Sequence, residues 1–222
     1  MNEALQDEGN SSRAEEFWEG HYRQRAQVWS GNPNAVLADV VGTLPVGTAL
    51  DLGCGEGGDA IWLAGLGWRV TAVDVSPTAL QRVAARAETE GVASRIDFQQ
   101  HDLAQTFPVG TFDLISAQYF HSPLEFPRDR VLQTAARAVA LDGLLLIVDH
   151  ASIAPWSWNQ DRETRFPTPA ETLATLDLDP EHWRTERLEA SQRQAGGPAG
   201  QTATVTDNVI VVRRLGRGDS AR

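Results

Sequence analysis

Short apolar runs alternate with helical patterns through the middle of the chain. TALDL is short, apolar and followed by glycine, which predicts a buried strand, and RVTAVDV, RIDFQQHD, FDLISAQ and GLLLIVDH predict four further strands. Between them, apolar residues recur at helical spacing in three segments: DAIWLAGLG, SPTALQRVAARAETEG and PRDRVLQTAARAVA. Strands and helices in this alternation predict a parallel sheet with helices on both faces.

Residues 76–91 carry the clearest helix signals. Ser76 is a favourable N-cap, Pro77 fits the first turn, and Gly91 suits the C-terminal end. This helix should follow the second strand directly, so the register of the surrounding elements is well defined.

The two ends of the chain differ from this middle part. AEEFWEGHYRQRAQVW predicts one or two short helices, and AVLADVVGTL predicts a further helix that closes before Pro45. Towards the C-terminus, TPAETLATL predicts a helix, and HWRTERLEA and TATVTDNVIVVRRL predict an antiparallel hairpin joined by the loose SQRQAGGPAGQ. We therefore expect a flexible N-terminus over residues 1–13, a helical cap or lid over 14–45, a core domain over 46–214 and a flexible tail over 215–222.

Composition narrows the class of partner. The 222 residues carry a net charge of −11, which disfavours nucleic acid and favours a small-molecule substrate. No apolar stretch approaches the ~18 residues of a membrane span, and the acidic start is unlike a secretory signal. The single cysteine, Cys54, excludes an internal disulfide, so we expect a cytoplasmic protein, as a monomer or homodimer.

The candidate chemistry lies in the segment DLGCGEGG. Four glycines fall within six residues directly after the first strand, where ligands bind in open α/β sheets. Asp51, Asp74 and Asp102 come from the first three strands, so three carboxylates should face one edge of the sheet. Gly53, Gly55 and Gly58 also satisfy the G-x-G-x-x-G dinucleotide fingerprint. An anionic pyrophosphate gains nothing from Asp51, whereas a cationic, amine-bearing nucleoside does.

ALDLGCGEG, VTAVDVSPTAL and IDFQQHDL closely resemble the class I S-adenosylmethionine-dependent methyltransferases, over about residues 46 to 151. The resemblance implies a Rossmann-like, doubly wound, mostly parallel seven-stranded sheet, with an antiparallel last strand inserted near the fifth. It also implies S-adenosyl-L-methionine as cofactor and assigns its contacts. The methionine part would be lined by Asp51, Gly53 and Gly55 around Cys54, which we expect to be a small packing residue. Asp74 would accept from the ribose hydroxyls and Asp102 from the adenine amino group, and the remaining contacts would come from Val75, Leu103, Ala117 and Gln118.

FWEGHYRQRAQVW and IWLAGLGWRVTAVDVSPTAL are similar to the small tellurite-resistance and thiopurine-type methyltransferases, which act on soft nucleophiles. This similarity implies a small-molecule acceptor such as a thiol or chalcogen oxyanion, with a hydroxyl or amine also open.

On the acceptor side, His121 is the preferred candidate general base and His150 a second one, and Tyr119 could orient the acceptor instead. The substrate pocket is predicted to include some of Tyr22, Trp29, His150, Trp156 and Trp158, although each could equally be ordinary packing. The histidines lack metal-ligand spacing, so no metal is expected. Three alternatives stay open: an NAD(P)-dependent oxidoreductase, which the absence of lysine disfavours by excluding a Tyr-x-x-x-Lys site, a non-catalytic S-adenosylmethionine-binding protein, and a methyltransferase that acts on proteins.

Overall fold

A computed structural model describes residues 3–157, 160–161, 163–197 and 200–216, with side chains from residue 13 onward. The described helices are α1 Glu3–Arg23, α2 Ala35–Val41, α3 Gly58–Gly65, α4 Pro77–Thr89, α5 Arg128–Ala138 and α6 Pro169–Thr175, with a short 3₁₀ turn at Ala93–Arg95. The described strands are β1 Thr48–Leu52, β2 Arg69–Asp74, β3 Ile96–Gln100, β4 Phe112–Gln118, β5 Val139–His150, β6 Trp183–Gly196 and β7 Thr202–Arg214.

The seven strands form one sheet in the order β3-β2-β1-β4-β5-β7-β6. Strands β1 to β5 are parallel, and β7 lies antiparallel between β5 and β6. The chain moves outward from β1 through β2 to β3 and then returns to β4 on the other side of β1. This reversal leaves a crevice at the carboxyl ends of β1 and β4, and the predicted fold class is confirmed.

Each face of the sheet is covered by its own apolar layer. Trp68, Leu63 and Val83 belong to the layer on the α3 and α4 side. Leu132 and Ile115 belong to the layer on the α5 side. Burial on both faces explains why the central strands are almost continuously apolar.

Helix α4 forms as its sequence signals predict. The Ser76 hydroxyl caps its N-terminus by accepting from the Ala79 N–H at 3.2 Å, and Gly91 adopts a left-handed φ of 70° just beyond its end.

Three predicted boundaries are wrong. Helix α1 is a single helix that begins at Glu3, well before residue 14, although Gly9, Asn10, Ser11 and Ser12 have low helix propensity. Strand β5 begins at Val139, four residues before the predicted GLLLIVDH. Strand β6 continues to Gly196 through part of SQRQAGGPAGQ, because pairing with β7 satisfies the backbone of a segment whose side chains favour a loop.

The predicted domain limits and the flexibility of the two ends stay predictions. Among the described residues, no helix combines the length and apolar character that crossing a bilayer requires.

Candidate active site

The glycine turn lies between β1 and α3, at the carboxyl edge of the sheet. Gly53, Gly55 and Gly57 have φ values of 67°, 54° and 74°, a backbone region that L-residues rarely adopt. The Cys54 N–H donates to Val73 O at 2.8 Å, which ties the turn to β2. The Cys54 thiol is buried, and burial raises its pKa well above its usual range, so it is a packing group rather than a nucleophile.

The carboxylate of Asp74, at the end of β2, stabilises the glycine turn through a hydrogen bond to its backbone. Its Oδ2 accepts from the Gly55 N–H at 2.9 Å, and its Oδ1 accepts from the Ser76 N–H at 2.9 Å. Burial raises the pKa of Asp74 to about 6 although both backbone bonds oppose the shift. Each carboxylate oxygen keeps a second lone pair, so the group can still accept from two ligand hydroxyls.

Three further acceptor oxygens near this edge are buried and have no hydrogen-bond partner within the described part of the chain: Asp51 Oδ2, Asp102 Oδ2 and Gln118 Oε1. Burial, reinforced by the charges of Asp59 and Asp74, raises the pKa of Asp51 well above its usual range. Unpaired buried acceptors are costly unless a donor arrives. A ligand that carries an ammonium, an amino group and hydroxyls supplies such donors.

The other predicted cofactor residues differ in what they can offer. Asp102 lies beyond the end of β3, and its Oδ1 accepts from the Ala104 N–H at 2.9 Å. Val75 is half-buried directly after β2, and Leu103 is half-buried against the α5-side layer. The side chain of Ala117 is fully buried in that layer, so only its backbone could reach a ligand.

Tyr22 and Trp29 lie over the glycine turn. A Cβ on Gly55 would lie 3.0 Å from the Tyr22 hydroxyl and 3.1 Å from Trp29 Nε1, and the indole donates to that hydroxyl at 3.2 Å. Both residues therefore lie against the glycine turn, and their assignment to the substrate pocket stays a prediction. Tyr22 is only 4% exposed, while Trp29 is 53% exposed and open to solvent.

Two acids that sequence reasoning missed fix this N-terminal segment. Glu56 Oε2 accepts from the N–H groups of Val28 and Trp29 at 2.9 and 2.8 Å, and its Oε1 pairs with Arg82 at 2.7 Å. Glu19 in α1 accepts from the Ser76 and Thr78 hydroxyls at 2.5 and 2.6 Å. These partners lie more than 25 positions apart, and no local pattern signals them.

Phe120 links the glycine turn to the acceptor side. A Cβ on Gly53 would lie 3.0 Å from its ring, which packs edge-on against Phe126 at 5.2 Å between centroids. Sequence reasoning missed this residue as well, although it directly follows the tyrosine at the end of β4.

Tyr119 is fixed by its neighbours rather than free to deprotonate. It adopts a φ of 50°, its hydroxyl donates to Asp207 Oδ2 at 2.8 Å, and it accepts from Arg193 Nη2 at 2.9 Å. Burial and the adjacent Asp207 carboxylate raise its pKa, so the phenol stays protonated near neutral pH.

His121 and His150 lie side by side on this edge, 6.2 Å apart between ring centroids. His121 Nε2 lies 3.3 Å from Asp149 Oδ1, and both Asp149 oxygens accept from Arg128 Nη2 at 2.6 and 2.7 Å. Burial and the charge of Arg128 lower the pKa of His121 to about 4. The pKa of His150 is also lowered, through burial and the neighbouring His121.

The hairpin of β6 and β7 extends beyond this edge. Strand β5 stops pairing at His150 and Asp207, but β6 and β7 pair onward to Gly196 and Thr202. Trp156 packs there, with its ring 2.7 Å from a Cβ placed on Gly197, so it lies near the tip of the hairpin. Trp158 lies outside the described residues.

Comparison with known proteins identifies a methyltransferase domain in the chain. A family model for a methyltransferase domain matches residues 49–143. The chain is 34% identical over 111 residues to "Probable thiol methyltransferase 2" of Arabidopsis thaliana, covering 49% of each protein. It is 28% identical over 201 residues to the "2-heptyl-1-hydroxyquinolin-4(1H)-one methyltransferase" of Mycobacteroides abscessus, covering 84% of this chain and 85% of that one. The chain therefore contains a methyltransferase domain over residues 49–143, which agrees with the resemblance to the class I S-adenosylmethionine-dependent methyltransferases.

The fold of this methyltransferase is shared with solved structures. One, described as "Conversion of a Disulfide Bond into a Thioacetal Group during Echinomycin Biosynthesis", superposes with a TM-score of 0.70 at 24% identity. The superposition covers 92% of this chain and 93% of that one. The chain spans about half the length of the Arabidopsis relative and most of the mycobacterial one.

S-adenosylmethionine is the cofactor of this family, and the residues present fit it. The left-handed glycine turn leaves room for a ligand to approach the backbone closely. Asp74 can accept hydrogen bonds from two ligand hydroxyls, and the three buried oxygens that have no partner among the described residues can accept from further ligand donors. A cationic sulfonium and ammonium also suit the surplus of carboxyl groups at this edge.

Proposed function

We propose that the protein transfers a methyl group from S-adenosylmethionine to a small molecule with an acidic nucleophile, and that a thiol is the first candidate. The observation that carries this proposal is the pair of stacked histidines, His121 and His150, 6.2 Å apart between ring centroids at the carboxyl ends of β4 and β5. Bound S-adenosylmethionine would supply an electrophilic methyl group on a positively charged sulfur. The remaining chemistry belongs to the side chains of this chain.

The donor side would hold the cofactor through carboxyl groups and backbone. Asp74 would accept from the ribose hydroxyls, Asp102 from the adenine amino group, and Asp51 would face the methionine ammonium. Gln118 Oε1, buried without a partner, would take a further donor at the same edge. Tyr22 and Trp29 would cover the methionine end and keep water from it.

The acceptor side offers only weak bases. A histidine whose pKa is lowered to about 4 is neutral at pH 7 but has little power to deprotonate an alcohol. A thiol has a pKa of about 8.5, so it needs far less help to become the reactive thiolate. The low basicity of His121 and His150 therefore favours a thiol or another readily ionised group over an alcohol.

The relatives support a soft or acidic nucleophile. The Arabidopsis relative is called a probable thiol methyltransferase, and the mycobacterial one acts on a hydroxyquinolone. The structural neighbour is described with sulfur chemistry. The net charge of −11 further supports a small acceptor over nucleic acid.

The test is release of S-adenosylhomocysteine with a panel of acceptors. The purified protein is incubated with S-adenosylmethionine and, separately, an alkyl thiol, an aromatic thiol, an N-hydroxy heterocycle, an alcohol, an amine and tellurite. We expect turnover with thiols or the N-hydroxy compound and none with the alcohol.

Two results would overturn the proposal in different ways. Tight cofactor binding without turnover of any acceptor would indicate a non-catalytic binder. Turnover of the alcohol alone would contradict the acceptor class while leaving methyl transfer intact.

A further inference from the structure

We propose that His150 is the group that takes the proton from the acceptor, and that Asp207 is the positioning residue that orients it. The inference rests on the proposed methyl transfer and assigns roles within the same site. It stands on a buried carboxylate with one unused oxygen that faces the His150 ring.

Asp207 is a buried acid in which one carboxylate oxygen is paired and the other is not. The residue is 1% exposed in β7, and its Oδ1 has no hydrogen-bond partner among the described residues. His150 Nδ1 lies 3.9 Å from that oxygen. A small rotation of the half-exposed imidazole would close this gap, and such bonds commonly tighten only when substrate is bound.

The other oxygen of Asp207 is held firmly. Its Oδ2 accepts from the Tyr119 hydroxyl at 2.8 Å and from Arg193 Nε. Arg193 Nη2 also donates to the Tyr119 hydroxyl at 2.9 Å, so the three side chains form a closed triangle. The triangle joins β4, β6 and β7, and it fixes the direction in which Oδ1 points.

Tyr119 also fixes the plane of the His150 ring. The two rings are stacked, with centroids 4.3 Å apart and planes 23° apart. Tyr119 holds a left-handed φ of 50°, which is strained for a non-glycine residue and persists only where the surroundings impose it. Strain at this position is explained if the ring must lie under the imidazole.

His121 is the less suitable base because its acid is already in use. Both oxygens of Asp149 accept from Arg128, whereas Oδ1 of Asp207 is free for an imidazole N–H. The ionisable groups around His150 are His121, Asp149, Asp207 and Arg193. Asp207 and Asp149 favour protonation of His150, and Arg193 and His121 oppose it.

The proton step follows from this geometry. With Nδ1–H directed at Asp207, Nε2 of His150 is the acceptor atom. The S–H proton of a thiol passes to Nε2, and the sulfur electron pair forms the new bond to the methyl carbon. The electron pair of the broken sulfonium bond stays on the donor sulfur, and the imidazolium returns its proton to water.

The test uses two thiols that differ in acidity, 2-mercaptoethanol and the more acidic benzenethiol. His150→Gln should lower kcat/KM for 2-mercaptoethanol at pH 7 by about 100-fold, but for benzenethiol by less than about 10-fold, because that thiol ionises without a base. His182→Gln, an exposed histidine paired with Asp179, is the matched control and should change neither.

Asp207→Asn tests the positioning role separately. We expect about a 10-fold loss of kcat, an unchanged affinity for S-adenosylmethionine, and an acid limb of the kcat/KM profile that moves about 1 pH unit lower. The limb moves in that direction because removal of an anion lowers the pKa of a nearby histidine. A purely structural role for Asp207 would leave the limb in place.

If Asp207→Asn does not fold, addition of imidazole to His150→Gly tests the same assignment, and recovery of turnover is expected. Wild-type turnover with unchanged selectivity between the thiols in His150→Gln would overturn the inference and leave the proposed function standing. If neither thiol is methylated, the same variants are measured on whichever panel acceptor releases S-adenosylhomocysteine. Absence of all turnover would remove the proposed function itself.

Discussion

At the scale of single residues, Asp74 joins folding to cofactor binding. Its two oxygens hold the glycine turn and the start of α4, and we propose that the same oxygens accept from the ribose hydroxyls. Burial raises its pKa to about 6, above the value of 3.8 for the free side chain, so the charged form is disfavoured while no donor is bound. Ribose hydroxyls would favour the charged form, because hydrogen bonds to a carboxylate are stronger than those to a neutral acid.

The affinity for S-adenosylmethionine should therefore depend on pH. As the pH falls through about 6, Asp74 takes up a proton and the dissociation constant should rise by about 10-fold, as measured by calorimetry between pH 5 and pH 8. Asp74→Asn should bind about 10- to 100-fold more weakly at pH 8 and lose this pH dependence. Asp97→Asn on the exposed side of β3 is the control and should behave as wild type.

The other carboxyl groups show how far residue patterns reach. The spacing of Asp51, Asp74 and Asp102 placed all three at one edge, because parallel strands end together. The same pattern could not reveal Asp207, whose partner Tyr119 lies 88 positions earlier, or the bond between them. A chain separation of that size leaves no periodic signal.

At the scale of elements, α1 is attached to the core by a few buried polar contacts. Glu19 accepts from Ser76 and Thr78 at the N-terminus of α4 and pairs with Arg23 at 2.7 Å. Burial opposes ionisation, but these hydrogen bonds prevail and lower the pKa of Glu19 to about 2. The stabilisation from Glu19 is complete above the unfolded pKa of 4.5 and is lost as the pH falls from there towards 2.

Glu19→Gln should therefore loosen α1 without unfolding the sheet. We expect faster amide exchange over residues 13–23 and unchanged exchange in β4 and β5, as measured by hydrogen–deuterium exchange mass spectrometry at pH 7. Glu16→Gln, an exposed change on the same helix, serves as control. Equal exchange in both variants would show that α1 is held by its apolar contacts alone.

The projecting hairpin should contribute to the acceptor site and not to the donor site. Strands β6 and β7 continue about five residues beyond the last pair of β5 and β7, roughly 17 Å at strand rise. An Asn-Gly turn joining Gln194 to Thr204 would remove the outer two of the five strand pairs of that projection and keep Arg193 and Asp207. We expect kcat/KM for the acceptor to fall by about 10-fold and the cofactor dissociation constant to stay within about 2-fold. Weaker cofactor binding in this variant would contradict the division of the site.

At the scale of the whole molecule, the methyltransferase fold predicts which cofactors stabilise the protein against unfolding. A ligand at 100 times its dissociation constant adds about 2.7 kcal/mol to the free energy of unfolding. S-adenosylmethionine and S-adenosylhomocysteine should both raise the melting temperature in a thermal scan. NAD and NADP should not raise it, because their anionic pyrophosphate would be repelled by the carboxylates at this edge of the sheet. A rise in melting temperature with NAD alone would contradict this prediction and favour the oxidoreductase alternative.

The sequence by itself determined the order of strands and helices, the glycine turn, and the edge of the sheet at which Asp51, Asp74 and Asp102 lie. These features follow from local patterns: β4 has the bounds of its apolar run, and α4 has the cap that Ser76 provides. Only the tertiary structure decided where Tyr22 and Trp29 lie, how Glu56 and Glu19 hold them, and which acid faces His150. Those relations join residues far apart in the chain, and they are set by the packing of α1 and of the long hairpin, which no single stretch of sequence encodes.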